Sequence, residues 1–203
     1  MKIICVGRNY LAHAAELNNP KPSNPIIFLK PETALLRPNE DFYHPSFSND
    51  IHFEAEIVIR INKEGKNIAE KFASKYYSEI GVGIDFTARD VQNELKSKGL
   101  PWELAKAFNG SAAVSNFVSV SEFENVQNIN FSLNQNNIEK QNGNTKDMLF
   151  SINYLISFIS QYFTLKKGDL IYTGTPVGVE KINIGDVLDL FIEGQKLLTV
   201  NVK

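Results

Sequence analysis

The sequence predicts a β-rich α+β fold, and three observations lead there. Short apolar runs recur along the chain and end at turn-forming pairs. Helical periodicity of apolar residues is confined to a few short windows. Strands and helices do not alternate in the rhythm that builds a parallel sheet. With 203 residues, 43% of them hydrophobic, and no internal repeat or linker, the chain reads as one domain over residues 1–203.

In chain order, residues 2–6 read as a strand. Residues 8–18 (RNYLAHAAELN) read as a short helix or ordered lid, since Pro20, Pro22 and Pro25 forbid its continuation. The first 25 or so residues therefore include an N-terminal lid segment, and its proline-bounded stretch can move. Residues 26–29 form a short strand ending at Lys30-Pro31. Residues 51–61 form a longer one, running from IHFEAE into the apolar Ile57-Val58-Ile59. Residues 80–86 (IGVGIDF) are strand-like, with glycines that permit close backbone approach. Thr87-Ala88-Arg89-Asp90 fits a capping box, which starts a helix at Thr87 that stops at Gly99 before Pro101. Residues 129–141 form a hairpin turning at Asn136-Asn137. Ile152, Leu155, Ile156 and Ile159 repeat at helical spacing, so residues 151–162 form an amphipathic helix. Short strands follow, punctuated by Lys167-Gly168-Asp169, Thr173-Gly174-Thr175-Pro176, Ile184-Gly185-Asp186 and Glu193-Gly194.

Composition removes several functions. A formal net charge of -2 offers no electrostatic footprint for nucleic acid. No apolar run reaches the roughly 18 residues of a membrane helix, and residues 1–6 are too short a run for a signal peptide. A single cysteine, Cys5, forms no internal disulfide and reads as a small core residue. The expectation is a cytoplasmic protein.

Chemistry concentrates at a few carboxylates. In an unbroken strand His52, Glu54 and Glu56 share one face, and Phe53, Ala55 and Ile57 the other. Two adjacent like charges repel, and burial makes them costly. Either that face is solvated or a hard cation such as Mg²⁺ or Mn²⁺ sits between them. Asp85, at a strand end before a helix, reads as a third ligand or as a turn residue. Arg89, Lys106 and Lys30 are the nearby cations that would balance an anionic substrate. Arg89 and Gln92 share a helix face, with Arg89 the better fork for a carboxylate. Lys106 follows Pro101-Trp102 in an apolar stretch and is either partly buried or a snorkelling surface lysine. His13 and Glu16, three apart, share a helical face. They are either a surface pair or a general base whose carboxylate orients the imidazole. Gly174 lets a backbone N–H approach a ligand oxygen, or simply makes a turn.

Four segments in this order, HFEAEIVI, GIDFTARDVQ, KGLPWELAKAF and GDLIYTGTPVGV, resemble the fumarylacetoacetate hydrolase family. CVGRNYLAHAAEL and PIIFLKP resemble its shorter branch, the acylpyruvate hydrolases and oxaloacetate decarboxylases. The resemblance implies a mixed β-sandwich or β-roll with a few peripheral helices, and a homodimer. It implies Glu54, Glu56 and Asp85 as Mg²⁺ or Mn²⁺ ligands and Lys106 as the active-site lysine. It further implies Arg89, Gln92 and Thr175 as substrate contacts and His13 with Glu16 as a catalytic pair on a lid. The expected activity is cleavage of an acylpyruvate-type 2-oxo acid to pyruvate and a carboxylic acid, with oxaloacetate decarboxylation on the same site. An isomerase or tautomerase, and a non-catalytic metal- or partner-binding β-domain, stand as alternatives. Asn109-Gly110-Ser111 departs from the family pattern and is expected to alter the pocket.

Overall fold

The apolar run Ile57-Val58-Ile59 lies in β4 (Ala55–Ile61), in the interior of the main sheet. The fold comes from a computed structural model that describes residues 1–11, 21–37 and 40–203. Among these, the main sheet has the order β2 (Ile26–Lys30), β1 (Ile3–Gly7), β11 (Leu170–Tyr172), β4, β5 (Tyr77–Asp85), β7 (Ala112–Val114), with β8 (Val118–Ser119) also paired to β5. The β1–β11 pair is parallel and its other pairs are antiparallel. A second, antiparallel sheet has the order β10 (Ile138–Asn144), β9 (Asn130–Gln135), β12 (Val187–Ile192), β13 (Gln195–Asn201). Helices are few: α1 (Arg89–Ser97), α2 (Glu103–Lys106) and α3 (Ile152–Tyr162) are the α-helices whose full extent is described.

Period-two alternation divides the main sheet between two cores. On β4, Ala55, Ile57, Ile59 and Ile61 join Ile4, Val6, Val82 and Ile84 in the large core, which also holds Phe131, Leu133, Leu188 and Leu190 of the second sheet. Val58 joins Ile3, Cys5, Leu170 and Tyr172 in a small core. Both faces of the sheet are therefore buried, which explains the unbroken apolar runs. Cys5 is fully buried, and burial pushes its thiol well above the usual range, so it is the inert core residue expected.

Gly83 shows why this face is tight. A Cβ there would sit 2.4 Å from the Ala113 carbonyl oxygen and 2.9 Å from both Tyr172 and Val58. The backbone oxygen cannot yield without disrupting β5–β7 pairing. Gly83→Ala is expected to lower stability in urea by about 3 kcal/mol, the upper end of overpacking costs; a change below about 0.5 kcal/mol would show that β7 moves aside freely.

Three expectations need correction. The strand over residues 51–61 is broken. Ile51–His52 form β3, which pairs with β6 (Thr87–Ala88), and β4 begins only at Ala55. His52 is drawn to Asp50, whose Oδ1 lies 3.0 Å from Nε2, rather than to the glutamate pair. Thr87 does not cap a helix. It lies in β6, and its hydroxyl donates to the Asp85 carbonyl (3.3 Å) and accepts from Lys106 Nζ, so α1 starts at Arg89 without a side-chain cap. Asn109 and Gly110 line a groove with Leu36 and Tyr43 rather than the pocket that Lys106 lines.

Other elements follow their local chemistry. Asn136 and Asn137 have φ of 53° and 65°, the left-handed pair that a two-residue hairpin needs. Ser151 caps α3 by accepting from the Tyr154 N–H (3.2 Å), while Ile152, Leu155, Ile156 and Ile159 are buried. Gly99, at φ 65°, follows the end of α1.

Candidate active site

Antiparallel pairing of β4 with β5 collects the acids. Glu56 stands opposite Gly83, Ala55 opposite Ile84, and the Glu54 carbonyl accepts from the Asp85 N–H at 2.9 Å. The carboxylates of Glu54, Glu56 and Asp85 thereby converge, with one oxygen from each within 4.8 Å of the others. Their exposures are only 6%, 2% and 1%. Three buried acids this close demand positive charge.

The protein supplies part of it. Lys106 Nζ lies 2.9 Å from Glu54 Oε2 and 2.7 Å from Asp85 Oδ2. Arg89 Nη2 donates to Glu54 Oε1 at 2.5 Å, and its Nη1 donates to Gln92 Oε1 at 2.7 Å. Lys30 Nζ lies 2.8 Å from Asp85 Oδ1. Glu56 makes no ion pair among the described residues; it accepts the Gly174 N–H at 2.6 Å. Burial, then Asp85 and Glu54, push its carboxyl well above the usual range, and the Gly174 bond only partly opposes this. Burial alone would discharge Lys106, but the Asp85 and Glu54 charges outweigh it and hold the amine above its ordinary value. Lys106 is thus an ammonium, a donor of charge rather than a base.

These groups open onto a cavity that also meets Arg89, Gln92 and Thr175. Gly174 has φ of 103°, and a Cβ on it would lie 2.7 Å from Asn9 Cβ, so only glycine brings this N–H to Glu56. Gln141, on β10 of the second sheet, positions Thr175. Its Oε1 accepts from the Ala55 N–H (2.8 Å), which fixes Nε2 as donor to Thr175 Oγ1 (2.8 Å) and the Pro176 carbonyl (3.0 Å). The Thr175 hydroxyl then keeps its own hydrogen to donate.

The structure brings together Glu54, Glu56, Asp85, Arg89, Gln92, Lys106, Gly174 and Thr175. It does not bring Lys30 to the cavity. Its ammonium is buried behind Asp85, bonded to the carbonyls of Lys106 and Ser111 and to the Ser111 hydroxyl. His13 and Glu16, with most of the 8–18 helix, lie outside the described residues. Sequence reading missed Arg8, Lys96, Trp102 and Gln141. Lys96 had a signal, since it stands seven residues after Arg89 and so shares its helix face; Gln141, remote in sequence, had none.

The sequence profile of the family described as fumarylacetoacetate (FAA) hydrolase C-terminal matches residues 2–203. The oxaloacetate tautomerase YcgM of Escherichia coli K12 is 40% identical over 199 residues, 98% of this chain and 91% of that protein. The mitochondrial oxaloacetate tautomerase FAHD1 of Bos taurus is 40% identical over 192 residues, 95% of this chain and 87% of that one. Among solved structures, the fumarylpyruvate hydrolase of Pseudomonas aeruginosa in complex with Mn²⁺ and pyruvate superimposes with a TM-score of 0.93 at 32% identity, covering 100% of this chain and 89% of that one.

Proposed function

The chain belongs to the fumarylacetoacetate hydrolase family and is an enzyme, and on that premise we propose that it is a divalent-metal-dependent keto–enol tautomerase of oxaloacetate. The observation that carries the reading is the convergence of three buried carboxylates beside an ammonium. The donor set fits Mg²⁺ or Mn²⁺: three hard carboxylates, of which Glu56 has no ion-pair partner among the described residues and is only partly relieved by the Gly174 N–H and the Lys106 charge. Glu54, Glu56 and Asp85 would hold the ion, which when bound supplies Lewis acidity to the 2-oxo group.

The chain's own groups do the rest. Ketonisation moves a proton from the enol oxygen to C3, and negative charge develops on the 2-oxo oxygen along the way. Lys106 stabilises that charge as a preorganised ammonium in a water-poor site. Thr175, its oxygen already occupied by Gln141, donates to a substrate carboxylate oxygen. Arg89, held by Glu54 and Gln92, adds positive potential. His13, with Glu16 to orient it, is the proposed carrier of the C3 proton.

The sequence alone put acylpyruvate cleavage first. The tautomerase names of the relatives, 40% identical over nearly the whole chain, favour the alternative. Hydrolysis remains the second reading, on the fold shared with a fumarylpyruvate hydrolase. The test starts metal-stripped protein on freshly dissolved enol oxaloacetate, adds Mg²⁺ or Mn²⁺, and follows enol absorbance and pyruvate in parallel, with acetylpyruvate alongside. Metal-dependent loss of enol without pyruvate is expected. Metal-dependent pyruvate release from acetylpyruvate, with no effect on enol oxaloacetate, would replace the tautomerase by the hydrolase.

A further inference from the structure

Two cations on the cavity wall form no ion pair with an acid among the described residues. Arg89, Lys106 and Lys30 each touch a carboxylate of the site. Arg8, just past β1, and Lys96, on α1, line the same cavity and form no ion pair among the described residues. Both are half-buried rather than free in solvent. Lys96 Nζ lies 5.3 Å from the centre of the Trp102 ring, which holds the ammonium against an aromatic wall. The chain also builds a special backbone at Arg8, whose φ of 59° is unusual for a residue other than glycine.

We propose that Lys96 and Arg8 form the subsite for the second carboxylate of a dicarboxylic 2-oxo acid, and that Lys96 is a specificity-determining residue. The proposal rests on the 2-oxo acid reading above and adds the substrate's other end. Arg89, Lys106 and Lys30 are committed to Glu54 and Asp85, so Arg8 and Lys96 are the cavity cations that touch no acid among the described residues and are left for a ligand. A 2-oxo monoacid has one anionic end to offer, and that end belongs with the carboxylate cluster. A diacid has a second, and cations half-buried beside a cavity gain most from meeting it. Burial, then Arg89 and Arg8, push the Lys96 amine down to about 8, as expected of a half-buried cation crowded by others. Arg8 is lowered too, by burial. Glu54 on the cavity wall opposes the shift at Lys96 but does not cancel it.

The experiment titrates Mg²⁺-loaded protein calorimetrically, in the cold, with oxaloacetate and with pyruvate, which keeps the 2-oxo acid end and lacks the distal carboxylate. Wild type is run beside Lys96→Gln and Lys96→Arg, with melting curves to establish that each folds. Lys96→Gln is expected to weaken oxaloacetate about tenfold, the loss of one charge-assisted hydrogen bond, and to leave pyruvate within about twofold; Lys96→Arg restores most of it. Equal losses for both ligands, or no loss for oxaloacetate, overturn the subsite while leaving the 2-oxo acid site standing. If neither ligand binds wild type, the functional reading fails and the subsite with it.

Discussion

Replacing Glu56 by glutamine is expected to remove the response to metal while sparing the fold. In the metal-free protein Glu56 is buried, receives the Gly174 N–H, and has its carboxyl pushed well above the ordinary range by burial and by its two acidic neighbours. The sign follows from proton linkage. A carboxyl raised on folding binds its proton more tightly in the native state than in the unfolded one. Its contribution is therefore fully present below the unfolded value and is lost as pH rises towards the raised one. Metal-free wild type should thus lose stability as pH climbs above the usual carboxylate range. Glutamine keeps an oxygen for Gly174 and carries no charge, so Glu56→Gln flattens that decline. Added Mg²⁺ or Mn²⁺ should raise the melting temperature of wild type, since a ligand that binds only the folded state must stabilise it, and should leave the variant unmoved. Turnover should fall on the order of a thousandfold, because Lewis-acid assistance is worth several kcal/mol and each ~1.4 kcal/mol is tenfold. Melting curves across pH with metal and with chelator decide it: a variant that still melts higher with Mg²⁺ removes Glu56 from the metal site.

Lys106→Met should damage stability and catalysis together. Its buried ammonium touches Glu54, Asp85 and Thr87. Methionine fills much of the space but leaves two buried carboxylates short of a partner, with Arg89 still on Glu54 and Lys30 still on Asp85. Breaking such a buried pair costs about 3–5 kcal/mol, less here because those two cations remain. A divalent ion at about 100 times its dissociation constant returns ~2.7 kcal/mol, so Mg²⁺ should recover most of the fold. It should not recover turnover, which loses its oxyanion donor and falls about a hundred- to a thousandfold. Urea titrations with Mg²⁺ and with chelator, beside the enol assay, separate the two effects. Near-normal turnover in the refolded variant would move Lys106 from chemistry to scaffolding.

Particular residues mark what was legible. The Asn136-Asn137 turn, the α3 stripe and the glycine-bearing β5 each carry a period or a backbone demand that short segments express locally. The acid pair at Glu54 and Glu56 was visible for the same reason, as i and i+2 on a strand. Thr87 was misread because its capping pattern is local, whereas the ammonium that engages its hydroxyl comes from 19 residues away. The break at residues 53–54 was invisible because it depends on where β6 lies, not on any residue within the run. Lys30 was expected at the substrate as a third cation beside Arg89 and Lys106; here the carbonyls of Lys106 and Ser111 hold it underneath Asp85.

By itself the sequence determined the strand-rich architecture, the family and the acids and lysine of the site, because alternation, turn chemistry and ordered motifs are properties of neighbours along the chain. The tertiary structure alone decided which cations balance those acids, that Gly174 and Gln141 brace Glu56 and Thr175, and that Arg8 and Lys96 face the cavity with no acid of their own among the described residues. Those are matters of electrostatics at a few ångströms between segments up to 118 residues apart, and only folding brings such charges within range.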